Sequence, residues 1–88
     1  MINNHGKLEK DKIVELTDYV QQLCLEVKNE EKDLEGVSLF KIVEQFLTYI
    51  ILLQPEQIDL DITANFLMSV SILILWKSNL LLPSNQEE

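Results

Sequence analysis

The sequence predicts an all-α fold, a small bundle of about three helices in which the third helix is long and apolar. Its 88 residues allow a single domain. Hydrophobic residues make up 47% of the chain, which is too many for a disordered protein. Only 2 Gly and 2 Pro are available for turns, so long helices are favoured over a many-stranded fold.

The first predicted helix runs from Lys12 to about Lys28. Its apolar residues recur at alternating steps of three and four, which places them in one stripe of an amphipathic helix: Ile13, Leu16, Val20, Leu23 and Val27. Residues 1–11 are polar and are predicted to form a flexible leader. The helical domain is therefore expected to span residues 12–83, followed by a loose polar tail over residues 84–88.

A second helix is predicted from about Ser38 to Leu53, after a charged connection and a turn at Gly36. Ser38 is a suitable N-cap because its hydroxyl can accept a hydrogen bond from the first turn. Pro55 should end the helix, since proline lacks an N–H and disfavours helix in the preceding residue. Its apolar residues again follow a period of 3.6.

The third helix should begin near Asp59 or Asp61, either of which can cap it, and end at Leu82 before Pro83. It is apolar nearly all round, so two shorter helices should cover about half of it and a partner or a second copy the rest. Its longest apolar run, Phe66 to Trp76, falls short of the roughly 20 residues that a membrane span needs. No membrane span is therefore predicted.

Charge and reactive residues exclude two classes of function. The chain has 7 basic residues, all of them Lys, and 15 acidic residues, which gives a net charge of −8. Phosphate binding needs clustered Lys and Arg, so direct nucleic-acid binding is not expected. His5 and Cys24 cannot form a closed metal site or a catalytic triad, so we predict no enzyme activity and no cofactor. A lone cysteine fits a cytoplasmic protein.

Three motifs carry a resemblance to a known family. Residues 39–50, LFKIVEQFLTYI, resemble a family segment that reads roughly I-A-x-I-T-E-Q-Y-L-x-Y-L. Residues 58–68, IDLDITANFLM, and 76–83, WKSNLLLP, resemble the segments L-D-L-D-x-A-x-E-F-L-V-M and I-K-S-R-M-L-L-P. Together they are similar, in order and spacing, to the N-terminal domain of bacterial segregation and condensation protein A, the kleisin of the SMC complex.

The chain departs from this pattern in two places. The family usually opens with F-E-G-P-L-D-L-L-L, whereas the first helix here keeps only the apolar periodicity. Asn79 stands where the family commonly has Arg. The family also continues into a middle segment that binds segregation and condensation protein B and a C-terminal winged helix. That second partner is expected only if a longer native chain exists.

The resemblance implies a non-enzymatic subunit that docks on the coiled-coil neck of an SMC ATPase during chromosome condensation and segregation. Such a protein would be cytoplasmic and would reach the nucleoid through its partner. A helix lying in a groove uses anchors at i, i+3, i+4 and i+7. The predicted partner-binding residues are Phe66, Val70, Leu73, Ile74 and Lys77. Any of them could instead be core, because both faces of this helix are apolar.

Two alternative functions remain open on sequence grounds. One is a peripheral membrane protein, which the acidic charge disfavours because anionic lipid attracts Lys and Arg. The other is self-association. The spare apolar face of the third helix could pair with its own copy, making the chain a self-associating helical structural module with no SMC partner. A homodimer is the expected observation in that case.

Overall fold

The computed structural model describes residues 7–81, and the all-α, three-helix prediction is confirmed. Within this range there is no strand. The three helices follow one another along the chain: α1 (Lys7–Lys28), α2 (Leu39–Ile50) and α3 (Leu60–Leu81). Two short 3-10 turns, Leu34–Gly36 and Pro55–Gln57, lie in the connections.

Helix α1 begins earlier than the sequence pattern indicated. It starts at Lys7 rather than Lys12, so the predicted leader is helical over its last part. An ion pair between Lys7 and Asp11, 3.6 Å apart at i and i+4, supports this first section. Glu9 adds an acidic side chain to the first turn, where the helix dipole favours it. The rest of the leader, the predicted end at Leu82 and the tail at 84–88 lie outside the described residues.

The predicted caps are present at α2 and α3. The Ser38 hydroxyl accepts a hydrogen bond from the backbone N–H of Lys41 at 3.4 Å, and Ser38 is the N-cap of α2. Asp59 opens α3, because its Oδ1 accepts from the N–H groups of Asp61 at 2.9 Å and Ile62 at 3.1 Å. Helix α2 ends at Ile50 rather than Leu53.

Helix α1 is followed by a backbone conformation that residues other than glycine rarely adopt. Glu30 has φ of 63°, in the left-handed region. Its N–H donates to the carbonyl of Val27 at 3.1 Å, and the N–H of Glu31 donates to the carbonyl of Glu26 at 2.7 Å. These two bonds form a Schellman motif, which satisfies carbonyls that the helix end leaves free.

The core lies between α1 and the α2–α3 hairpin. The predicted stripe of α1 points inward: Ile13, Leu16, Val20 and Leu23 are buried and Val27 is half-buried. Phe46 of α2 stacks on Phe66 of α3 with ring centroids 4.0 Å apart and an interplanar angle of 6°. Burying each such side chain contributes about 1.5–3 kcal/mol. The stack and the α1 stripe together fix which side of α3 faces inward.

Candidate partner-binding surface

The structure divides the five predicted partner-binding residues into two groups. Phe66, Val70 and Leu73 are 0%, 3% and 0% exposed, because they face α1 and α2. They are core residues of this fold, and their burial holds α3 in place. Ile74, 45% exposed, and Lys77, half-buried, are the two that reach the surface. Contact of these residues with a partner stays a prediction.

Lys77 has an internal partner. Its Nζ donates a hydrogen bond to the backbone carbonyl of Val37, in the segment that leads into α2. This hydrogen bond ties the end of α3 to the start of α2. The aliphatic stem of Lys77 lies beside Phe40 and Ile74 in a shallow groove between the two helices.

The outward side of α3 carries a row of apolar and small residues. Large hydrophobic side chains on this helix are exposed: Leu60, Leu67, Met68, Ile72, Ile74, Leu75 and Leu80. One line among the exposed residues follows alternating steps of four and three: Leu60, Ala64, Leu67, Ser71, Ile74 and Ser78. The Ser71 hydroxyl donates to the carbonyl of Leu67 at 2.6 Å, so this polar group is satisfied within its own helix. Ser71 can therefore be covered by an apolar surface without leaving its hydroxyl unpaired.

Helix α2 extends this surface. Phe40, Leu47 and Ile51 are 76%, 51% and 75% exposed, whereas Ile42 and Phe46 point into the core. The groove that joins the two helices is lined by Phe40 on one side and Ile74 on the other. We call the surface formed by these exposed residues the α2/α3 face: Phe40, Leu47, Ile51, Leu60, Leu67 and Ile74.

Sequence reasoning missed the contribution of α2 to this face. It counted all apolar residues of the segment as one 3.6-period set, although the set is too broad for a single stripe. The signal was present in the spacing, because Phe40, Leu47 and Ile51 are separated by seven and four residues and so form a line of their own. The line of Ile42 and Phe46 faces the core instead.

Metal binding and nucleophilic chemistry have little support among the described residues. They contain no group of three or more His, Cys, Asp or Glu side chains that could hold a metal ion. Cys24 is half-buried, its Sγ donates to the carbonyl of Ser69 at 3.5 Å, and burial raises the pKa of its thiol. A protonated, partly covered thiol is a poor nucleophile. His5 lies outside the described residues. What this surface offers chemically is apolar contact.

Helix α3 also has the length and hydropathy of a membrane-spanning helix. The segment Leu60–Leu80 is long and apolar enough to cross a bilayer, by length and composition only. The core helix of a soluble protein can have the same length and composition. Here Phe66, Val70 and Leu73 are covered by protein, although only 17% of the apolar stretch is buried.

Comparison with known proteins identifies the family. Residues 27–88 match the family described as Segregation and condensation protein ScpA. Segregation and condensation protein A of Clostridium acetobutylicum is 32% identical over 62 residues, which are 70% of this chain and 24% of that protein. The chain thus spans about a quarter of the length of this curated relative. No solved structure matches. Because the family match covers well over half of its residues, the chain belongs to the segregation and condensation protein ScpA family.

Proposed function

We propose that this chain acts in chromosome segregation and condensation as a kleisin-like, non-enzymatic subunit that docks on the head-proximal coiled coil of an SMC ATPase. Family membership supports the coarse role. The observation that carries the docking is the α2/α3 face, where exposed hydrophobic residues of the α2 segment and of α3 meet at the groove lined by Phe40 and Ile74. A surface of this kind is rarely left open on a protein that works alone.

The spacing on α3 favours a helical occupant. Alternating steps of four and three keep Leu60, Leu67 and Ile74 in line over two heptads. Helices that meet along such a line cross at about +20°, as they do in coiled coils and most four-helix bundles. Ala64 and Ser71 lie between the larger side chains and leave holes that the knobs of another helix can fill. A coiled-coil neck presents helices of the required kind.

The proposal places the chain in the cytoplasm, at the nucleoid through its partner. Segregation and condensation protein B would join through residues beyond this chain, in a longer native protein. Lipid is disfavoured as an occupant because an anionic membrane surface would repel a chain with a net charge of −8.

Self-association is the second candidate function. The same exposed face favours it, since two copies could cover each other's apolar residues. The net charge of −8 on each chain opposes it. A homodimer that persists at low micromolar concentration would support this candidate.

The test is co-purification of this chain with the SMC head-plus-neck fragment from the same organism, followed by size-exclusion chromatography with light scattering. We expect a one-to-one complex. Ile74→Glu should abolish it, because a carboxylate then replaces an apolar anchor in the middle of the face. The matched control is Leu25→Glu on α1, since Leu25 is 55% exposed and Ile74 is 45% exposed.

Three outcomes separate the hypotheses. Loss of the complex in Ile74→Glu but not in Leu25→Glu, with both variants folded by circular dichroism, supports docking through the α2/α3 face. Equal loss in both variants would show that this face is not the contact. Absence of any complex, together with a stable homodimer, would replace the SMC proposal with self-association.

A further inference from the structure

One carboxylate borders the apolar residues that α2 contributes to the α2/α3 face. Glu44 lies on the exposed side of α2, four residues after Phe40 and three before Leu47. Residues at these spacings share a helix face. Phe40 is 76% exposed and Leu47 is 51% exposed, so Glu44 is bordered along the helix by two open hydrophobic side chains.

This carboxylate has no ion-pair partner among the described residues. The ion pairs in that part of the chain lie on α1, between Lys7 and Asp11 and between Lys12 and Glu15. The hydroxyl of Thr48 donates to the backbone carbonyl of Glu44 at 2.8 Å. This hydrogen bond does not involve the carboxylate of Glu44.

The basic residues near this face are directed elsewhere. Lys41, three residues before Glu44, lines the groove between α1 and α2 together with Tyr19. Lys77 donates its hydrogen bond to Val37. The end of the face near Leu60 adds two further exposed acids, Glu56 and Asp61. Among the described residues, the acids beside this face have no ion-pair partner.

Covering such a face has an electrostatic consequence. Any occupant of the α2/α3 face takes the Glu44 carboxylate out of water, and an unpaired buried carboxylate is strongly unfavourable. A lysine or arginine supplied by the occupant removes that penalty by forming a charge-assisted hydrogen bond. A purely apolar helix, or a lipid surface, supplies no such group.

We infer that Glu44 is a specificity-determining residue of the α2/α3 face, and that the occupant of this face is an amphipathic helix with a Lys or Arg within its apolar stripe. The inference rests on the proposed function and adds the chemistry of the partner. A second copy of this chain is a poorer occupant, because it would bring its own Glu44, Glu56 and Asp61 to the contact.

The experiment measures the Kd between this chain and the SMC head-plus-neck fragment by isothermal titration calorimetry at low and high NaCl. The variants are Glu44→Gln, which keeps the shape and removes the charge, and Glu44→Lys, which reverses it. Asp18→Lys is the matched control, because Asp18 is exposed on α1 and undergoes the same change in charge.

We expect Glu44→Lys to weaken binding by about tenfold or more, since it opposes the partner's cation inside the contact. Glu44→Gln should weaken binding less and should reduce the dependence of Kd on salt. Asp18→Lys should change Kd by less than about twofold, as expected for a charge outside the contact. Circular dichroism on each variant confirms that the helices are retained.

The outcomes distinguish failure of this inference from failure of the proposed function. If the complex forms and Ile74→Glu abolishes it, but Glu44→Lys and Asp18→Lys have equal effects, the SMC proposal stands and the role of Glu44 is overturned. If no complex forms and Glu44→Lys strengthens a homodimer, the acids were repelling a second copy, and both the SMC proposal and the inferred partner are overturned.

Discussion

Helices α1 and α3 have the same length of 22 residues, yet their outward sides differ. Helix α1 buries one stripe and exposes a side rich in charged residues such as Glu15 and Asp18. Helix α3 also buries one stripe, through Phe66, Val70 and Leu73, but exposes hydrophobic residues on the other side. The bundle core therefore accounts for the regular hydrophobic stripe of α1, but for only part of the hydrophobic pattern of α3. The remainder is the feature that requires a functional explanation.

The family match shows the same division. It begins at residue 27, so nearly all of α1 precedes it. Helix α1 still supplies fully buried core residues, including Val20 and Leu23. Helix α1 needs only an apolar stripe that faces inward and a polar outer side, and many different sequences meet this requirement. Helices α2 and α3 must satisfy the core and the outward face together, and they lie within the matched region.

The largest expected effect comes from adjacent residues on the two sides of α3. Leu73 is fully buried, whereas Ile74 is 45% exposed. Leu73→Glu should destabilise the domain by about 4 kcal/mol or more, because it places an unpaired carboxylate in the core and leaves a small domain little reserve. Ile74→Glu should change stability by less than about 1 kcal/mol. Urea denaturation followed by circular dichroism measures both.

This pair tests whether the inward side of α3 is assigned correctly. If Ile74→Glu unfolds the domain while Leu73→Glu leaves it intact, the helix is rotated relative to the described structure. The α2/α3 face would then be part of the core, and the docking proposal would lose its support.

Much of the fold was predictable from sequence because local physics determines it. The stripe of α1 predicted its buried residues, Ser38 predicted the start of α2, and Asp59 was one of the two caps predicted for α3. Each rests on a spacing or a cap that involves neighbours in sequence. The early start of α1 was missed, since the helix begins in polar residues that carry no apolar period.

The candidate site was less predictable because it depends on tertiary packing. Of the five predicted residues, Phe66, Val70 and Leu73 turned out to be core, since a helix that is apolar on both sides has no periodicity to orient it. The orientation comes from the stack of Phe46 on Phe66, a contact between distant residues. The exposure of Phe40 followed from the same packing.

An intermediate effect is expected where α3 is tied to the start of α2. Lys77→Met should lower stability by about 1 kcal/mol, because the carbonyl of Val37 loses its donor. The apolar stem is retained, so packing changes little. Lys41→Met is the control on the exposed surface of α2 and should stay within about 0.5 kcal/mol of the parent. Equal melting temperatures for both variants would show that the Lys77 hydrogen bond adds nothing to stability.

The smallest expected effect concerns how α1 ends. Asp59 starts α3 with a favourable cap, whereas α1 ends at Lys28 and the chain then turns at Glu30, a non-glycine residue with φ of 63°. Glu30→Gly should stabilise the domain by about 0.5–1 kcal/mol, since glycine adopts this left-handed conformation without the Cβ clash. Glu31→Gly is the matched control. It removes the same charge from a residue without a positive φ, so the added flexibility of its unfolded chain should lower stability slightly. Thermal unfolding that shows a gain in both variants would assign the effect to relief of acidic repulsion in the connection rather than to backbone strain at Glu30.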